Sequence, residues 1–512
     1  MAGEYDSAMA SPTRSDLALI ARRAMLQRGL IPEFGPDVLA EVRALSAKTP
    51  SAAGAVDLTG RLWMSVDNES SRDLDQLSVA EPLDTRHTRL LVALADVDAY
   101  VPIGSAMDRH ARTNTTSVYT PAGVFSMIPE RLSTDLTSLN HGEERLALIV
   151  QMDIDADGSV DAWDVFRGRV LNRARLNYGD VAAWLEGRIP APPAVRAVPG
   201  MEAQIQLQAQ AGRALKQHRQ ERGALSLDTP QTRLVFEGET LTGLQRDARN
   251  GAKEMIEDFM IAANTATATF LETRGYPSIR RVLRAPARWD RITAIARQLD
   301  DVLPDEPDAL ALEQFLLRRR AAAPDAFGEL SLAVVKLLGG GEYAVEEPGG
   351  DGDGHFGLAV KDYAHSTAPN RRFADLVTHR ILKAALTGAA APYSTEELGW
   401  LARQCTDQGS NANKVERQVR KSAAALLLAS RIGEQFDAIV TGASEKGTWV
   451  RLVNPMVDGR VVTGFDRFDV GDRVRVELLA TNVEQGFIDF RGRGEAQRWN
   501  GRGAESPRER QS

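Results

Sequence analysis

The chain has 512 residues, 43% of them hydrophobic and 26% charged, with a formal net charge of −8. That length predicts three or four structural units, and the composition excludes wholesale disorder, a fibrous repeat and a membrane-spanning bundle. No run of about 18 apolar residues is present, the start (MAGEYDSAMASPTRSD) lacks the basic-then-apolar pattern of a secretory signal, and the single Cys405 suits a reducing cytoplasm.

Residues 13–46 read as two short helices. Leu17, Ile20, Ala21 and Ala24 form one apolar stripe, Gly29 is a stop signal, and Pro36 opens a second helix bearing Val38, Val42 and Leu45. The pair is compatible with a helix-turn-helix unit and equally with a plain helical cap on the next domain. Residues 47–55 read as a linker. From 56 to about 432 the signals are mixed: LVALADVDAYV, LALIVQMDI and WDVFRGRVL are strand-like, GAKEMIEDFMIAANTATATFLETRG is a long amphipathic helix, and Gly-rich 339–354 reads as a flexible loop. Residues 403–432 read as another helix. Residues 434–493 hold five short, Gly-punctuated β segments, the pattern of a small OB-type barrel. The tail, 494–512, has no apolar period and is expected to be disordered. The fold class is therefore α+β and multidomain.

Three local patterns bear on chemistry. VDNESSRDLDQL places Asp67, Glu69, Asp73 and Asp75 within nine residues, followed by Gln76. Carboxylates this close repel one another unless a cation sits between them, and hard oxygen ligands with open positions suit Mg²⁺; the spacing is also that of a solvated acidic loop. DIDADGSVDAWD imitates the start of an EF-hand loop, but its twelfth position is Asp164 and its flanks alternate like strands, so Asp157-Gly158 is read as a hairpin turn. HSTAPNRRFADLVTHRIL puts Arg371 and Arg372 beside a helix start, a phosphate-binding arrangement or a surface pair. His365 and His379 are too scattered for zinc. The net charge disfavours a phosphate-binding role. Yet 53 of the 62 cations are arginine, the residue that forks onto phosphate and stacks on bases; GC-rich codon usage produces the same bias.

Taken together, VDNESSRDLDQL, NTTSVYTPAGVFSMIPERLSTDLTSLN, RARLNYGDV, RGALSLDTP, MIEDFMIAAN and HSTAPNRRFADLVTHRIL resemble, in order and spacing, the catalytic domain of the ribonuclease II / ribonuclease R (RNB) family over 56–432. Residues 434–493 resemble the S1 RNA-binding domain that follows it there. About 55 residues precede the catalytic region, too few and too helical for the two cold-shock domains usual in the family. The resemblance implies a hydrolytic 3′-to-5′ exoribonuclease, monomeric and without a membrane partner, that releases nucleoside 5′-monophosphates from single-stranded RNA. It implies one or two Mg²⁺ ions, replaceable by Mn²⁺, held by Asp67, Asp73 and Asp75. The fourth acidic position of the family is Gln76 here. Arg371 is implied as the catalytic arginine, Tyr119 as a base clamp, and Tyr178 with Glu257 as readers of the RNA sugar. The second stacking position holds Leu227 instead of an aromatic. Arg372 beside Arg371, and Trp449 with Arg451 in the barrel, complete the expected RNA contacts. Two other readings stand beside this one: an RNA-binding protein with a degenerate, inactive catalytic domain, suggested by Gln76 and Leu227, and a DNA-binding regulator, suggested by the N-terminal helices.

Overall fold

The computed structural model describes residues 13–45, 50–228, 231–247, 249–444, 447–465, 468 and 471–497. Helix α1 (Arg14–Leu26) begins at a capping box between Thr13 and Asp16 and buries the expected stripe, Leu17, Ile20, Ala21 and Ala24, together with Met25. Helix α2 (Pro36–Ala44) starts on its proline. The two helices have different partners: α1 lies against the long C-terminal helix of the catalytic region, and α2 against α3. They are caps on the next domain, each seated by its own apolar face, and not a helix-turn-helix unit.

The main sheet has seven strands. In chain order these are β1 (Val56–Asp57), β2 (Met64–Asp67), β3 (Gln76–Pro82) and β4 (Thr88–Ala95), then, after α3 (Ala106–Asn114) and the small ribbon β5 (Val118–Thr120) and β6 (Gly123–Phe125), β7 (Glu144–Ile154), β8 (Val160–Leu171) and β9 (Ala174–Asn177). Their spatial order is β1-β8-β7-β4-β3-β2-β9. Central β4 is buried from Leu90 to Ala95, so its sequence is continuously apolar where an edge strand would alternate. The β7–β8 hairpin turns at Asp157-Gly158, with Gly158 at φ +85°, as its sequence requires.

Helices α4 (Tyr178–Leu185), α5 (Pro193–Arg196) and α6 (Met201–Glu221) follow, then a hairpin of β10 (Gln231–Glu237) and β11 (Thr240–Asp247), and α7 (Gly251–Thr273). Strand β12 (Ser278–Val282) precedes a three-helix unit, α8 (Trp289–Gln298), α9 (Ala309–Ala322) and α10 (Pro324–Leu338), with its own core of Ile292, Phe315, Leu316 and Val334. The segment 339–354, read as a loop, contains β13 (Glu342–Glu346), paired antiparallel with β12. Its EYAVE pattern favours a strand, but flanking glycines mask it in the sequence. Helix α11 (Phe373–Thr387) is almost wholly buried. Helix α12 (Thr395–Leu428) has 34 residues and starts at the Ser394 N-cap, ahead of the expected 403.

Strands β14 (Gln435–Ser444), β15 (Gly447–Leu452), β16 (Asp458–Thr463), β17 (Arg473–Asn482) and β18 (Phe487–Gln497) close a barrel around Phe436, Val450, Val476 and Phe490. Residues 494–497 belong to β18, whereas 498–512 lie outside the described residues, as do 46–49 of the expected linker. Among the described residues no helix is long and apolar enough to cross a membrane.

Candidate active site

The acidic motif runs from the end of β2 to the start of β3. Asp67 ends β2 opposite Asn177 of parallel β9, which delivers Tyr178, the first residue of α4, to its side. The intervening loop is fastened by Leu74, which is buried, by the Ser138 hydroxyl that accepts from the Leu74 N–H and donates to the Arg72 carbonyl, and by the Ala95 N–H on the Asp75 carbonyl. Asp67 Oδ1 accepts from the Asn68 N–H at 2.7 Å and the Ser71 hydroxyl at 2.9 Å. Gln76 opens β3 opposite Leu94.

A second element closes on this loop. Pro369 lies in a tight turn in which the Arg371 and Arg372 N–H groups donate to the Ala368 carbonyl. Buried Asn264 on α7 and Asp375 on α11 hold the turn, accepting from the N–H groups of Ser366 and Ala368 at 2.8 Å each. The turn aims the Asn370 N–H at Asp75 Oδ1 (3.0 Å) and Arg371 Nε at Asp75 Oδ2 (3.2 Å). Arg371 keeps 42% of its side chain exposed, so its guanidinium also faces outward. Arg372 is placed differently: its Nη2 donates to buried Asp375 at 2.7 Å, and its charge braces the turn.

The electrostatics are unbalanced. Asp75 is 2% exposed, and burial pushes its carboxyl up to about 7, against the pull of Arg371 and with a further push from Asp73. Burial likewise raises Asp67, partly offset by its Asn68 and Ser71 hydrogen bonds, and Asp73 adds to the rise. Asp73 thus bears on both Asp67 and Asp75, in a cleft where Arg371 is the cation acting on the same two carboxylates.

Two tyrosines border it. The Tyr119 hydroxyl donates to Asp73 Oδ2 at 3.3 Å, and its backbone N–H donates to Glu416 Oε1 of α12 at 2.8 Å, while 40% of the residue is exposed. The Tyr178 hydroxyl is held protonated by burial and by the nearby carboxylates of Asp67 and Glu257, with the Lys253 ammonium 6.0 Å from its ring centre. Glu257, on α7, takes Arg249 Nη2 at 2.9 Å, and Arg249 Nη1 donates to the Leu227 carbonyl at 2.7 Å. Arg249 therefore joins the sugar-reading candidate to the second stacking position. Leu227 and Glu257 line a cavity of about 320 Å³; Tyr119, Arg371 and Arg372 line a second of about 760 Å³; Gly341 belongs to both. Glu416 and Arg249 carried no sequence signal, because each acts on a partner supplied by a different element.

Trp449 and Arg451 lie apart, on β15 of the barrel. Trp449 is 37% exposed, and Arg451 is forked onto Asp458 across the β15–β16 pair at 2.7 and 2.9 Å.

Among the described residues no three carboxylate, imidazole or thiolate groups are gathered closely enough to chelate an ion by themselves. Mg²⁺ does not require that: it commonly takes one or two carboxylates, waters and the substrate's phosphate. Excess negative charge at buried Asp75 and half-buried Asp67 fits such an ion.

A family model described as the RNB domain matches residues 55–388, and one described as the RNase II-type exonuclease C-terminal S1 domain matches 434–492. The chain belongs to the RNB family. It is 30% identical to Ribonuclease R of Escherichia coli (strain K12) over 506 residues, 90% of this chain and 60% of that protein. It is 31% identical to Exoribonuclease 2 of Cronobacter sakazakii over 443 residues, 85% of this chain and 66% of that one. The chain thus spans about three fifths of the Ribonuclease R relatives it matches. Its fold is shared with Mycoplasma genitalium RNase R solved with ribose-methylated single-stranded RNA, at TM-score 0.83 and 21% identity, covering 93% of this chain and 78% of that one.

Proposed function

We propose that this protein is a hydrolytic 3′-to-5′ exoribonuclease that shortens single-stranded RNA to nucleoside 5′-monophosphates with Mg²⁺ as its ion. The observation that carries this reading is the convergence of Asp67, Asp73, Asp75 and Arg371, from two distant segments, on one cleft bordered by Tyr119 and Tyr178. Membership of the RNB family supports it.

Asp67, Asp73 and Asp75 would hold the metal, which when bound lowers the pKa of water and neutralises phosphate charge. Asp75 is fixed by the Asn370 N–H and Arg371 Nε, so its carboxylate needs no reorganisation during the reaction. The outward part of the Arg371 guanidinium would stabilise charge growing on the phosphate. Tyr119 offers an open ring face for stacking on a base without reading sequence. Tyr178 and Glu257, which bear on one another beside Asp67, would read the 2′-OH, the group that separates RNA from DNA.

The test is incubation of the purified protein with uniformly labelled poly(A) and Mg²⁺, with and without chelator. Mononucleotide products that disappear with the chelator are expected. Binding without products would favour the inactive RNA-binding reading that Gln76 suggests, and preference for duplex DNA would overturn both.

A further inference from the structure

Helix α12 joins the larger cavity to the barrel. Residues of its middle, from Cys405 to Arg417, line the cavity that contains Arg371 and Tyr119. Its last turns support the barrel: Ala425 and Leu428 belong to the barrel core, and the β17–β18 hairpin sits directly on the helix at Lys421. Gly486 makes that seat possible. A Cβ there would lie 2.7 Å from the Lys421 Cβ and 3.0 Å from its backbone, and φ is +66°.

The faces of α12 are divided. Ala412, Val415, Val419 and Ala423 are buried in the cluster that also holds the α1 stripe. Arg417, Arg420 and Lys421, on the other side, are exposed and have no ion-pair or hydrogen-bond partner among the described residues. Arg420 lies near Glu416, the residue that holds the Tyr119 backbone. Three of the barrel's arginines are otherwise engaged: Arg451 by Asp458, Arg475 by Asp437 at 3.7 Å, Arg493 by Glu477. Directly after Gly486 stands Phe487, 58% exposed.

We infer that α12 is a phosphate rail for single-stranded RNA: Arg417, Arg420 and Lys421 carry the backbone from the Tyr119 side of the cavity to the barrel, where Phe487 stacks on a base. Unpaired cations in a row neutralise successive phosphates, and an open aromatic at the end gives a sequence-tolerant platform. From 409 to 421 the helix axis advances about 18 Å, enough for a few nucleotides. The inference rests on the ribonuclease reading.

The experiment measures affinity for a fluorescein-labelled 20-mer oligo(A) against KCl concentration in chelator, and hydrolysis of a 4-mer in Mg²⁺. Arg420 and Lys421 do not line the cavity, so the double variant Arg420→Gln/Lys421→Gln is the probe. Its 20-mer Kd should rise about tenfold, and the slope of log K against log salt should fall by about 1.4, two phosphates at about 0.7 each for a single strand. The 4-mer should be cut as by the parent. The swap Arg420→Lys/Lys421→Arg should restore the slope. Phe487→Ala should weaken the 20-mer several-fold with the slope unchanged. Parent-like affinity and slope in the double variant would overturn the rail, and parent-like affinity in Phe487→Ala would remove its aromatic end. If the parent neither binds nor cuts RNA, the ribonuclease reading fails first, and the rail with it.

Discussion

Asp75 is the most constrained residue of the cleft: both carboxylate oxygens have a fixed donor and the side chain is 2% exposed. Asp75→Asn keeps the size and removes the charge. Turnover is expected to fall at least about 100-fold, the scale set by losing one preorganised electrostatic group, while RNA affinity holds or tightens because repulsion of phosphate falls. Single-turnover kinetics beside equilibrium binding reads both, and near-parental turnover would remove Asp75 from the chemistry. Gln76 offers the complementary trial. If its neutral carbonyl leaves the site one charge short, Gln76→Asp should lower the Mg²⁺ concentration giving half-maximal rate. An unchanged metal titration would mean that position 76 does not face the ion.

At the scale of elements, the site is an assembly of short pieces, each held by its neighbours. The end of β9 delivers Tyr178, α7 delivers Glu257, and Arg249 ties Glu257 to the Leu227 segment. Tyr178→Ala with Glu257→Ala should therefore let a DNA oligonucleotide be cut at a rate approaching that of RNA. A double variant as RNA-selective as the parent would reject the assigned role. The acidic motif, Arg371 and the barrel strands were legible in the sequence because each lies within one contiguous stretch. Glu416 was not, since its partner Tyr119 is 297 positions away, and Arg249 looked like any surface arginine until the fold set it between Leu227 and Glu257. Strand β13 was hidden among glycines, since a five-residue strand with turn residues on both sides reads as loop. Helix α1 was legible as a helix, but its seat was not. Ile20→Ala in its buried stripe should cost about 2–4 kcal/mol of docking, read as faster proteolysis near residues 27–35 with the barrel intact.

For the whole molecule, buried histidines set an acid limit. Burial lowers His355 to about 4 and holds His365 and His379 below the usual range. Between about 4 and 6.5 the unfolded chain binds a proton that His355 refuses, so its contribution to stability is present above 6.5 and is lost as pH falls toward 4; His365 and His379 act in the same direction. Asp258, raised by burial to about 6, works in the opposite direction: it favours the folded state at low pH and loses that effect as pH rises through its own range. Comparing variants isolates one group. His355→Gln should narrow the gap between urea midpoints at pH 7 and pH 5, by about 1–2 kcal/mol in stability terms. An unchanged gap would mean that His355 titrates normally in the folded chain.

The seat of α1 also bears on how the chain is made. The loop after α1 is held by α12 through Gln408 on the Gly29 carbonyl and Asn411 on the Arg28 carbonyl, links of 379 and 383 positions, and Arg23 reaches Glu484 of the barrel at 2.7 Å. During synthesis at about 5–20 residues per second, α1 leaves the ribosome roughly 20–80 s before its partner exists. Over that interval Leu17, Ile20 and Met25 can meet Val118 and Phe125 of the β5–β6 ribbon and Leu234 and Phe236 of the β10–β11 hairpin, but not Ala412, Val415 and Val419 of α12. Helix α1, made long before the residues that hold it, is thus among the last elements to complete its seat. The nascent chain carries this stripe half covered until α12 is made, and a pause or truncation before residue 412 leaves it without the α12 half of its seat.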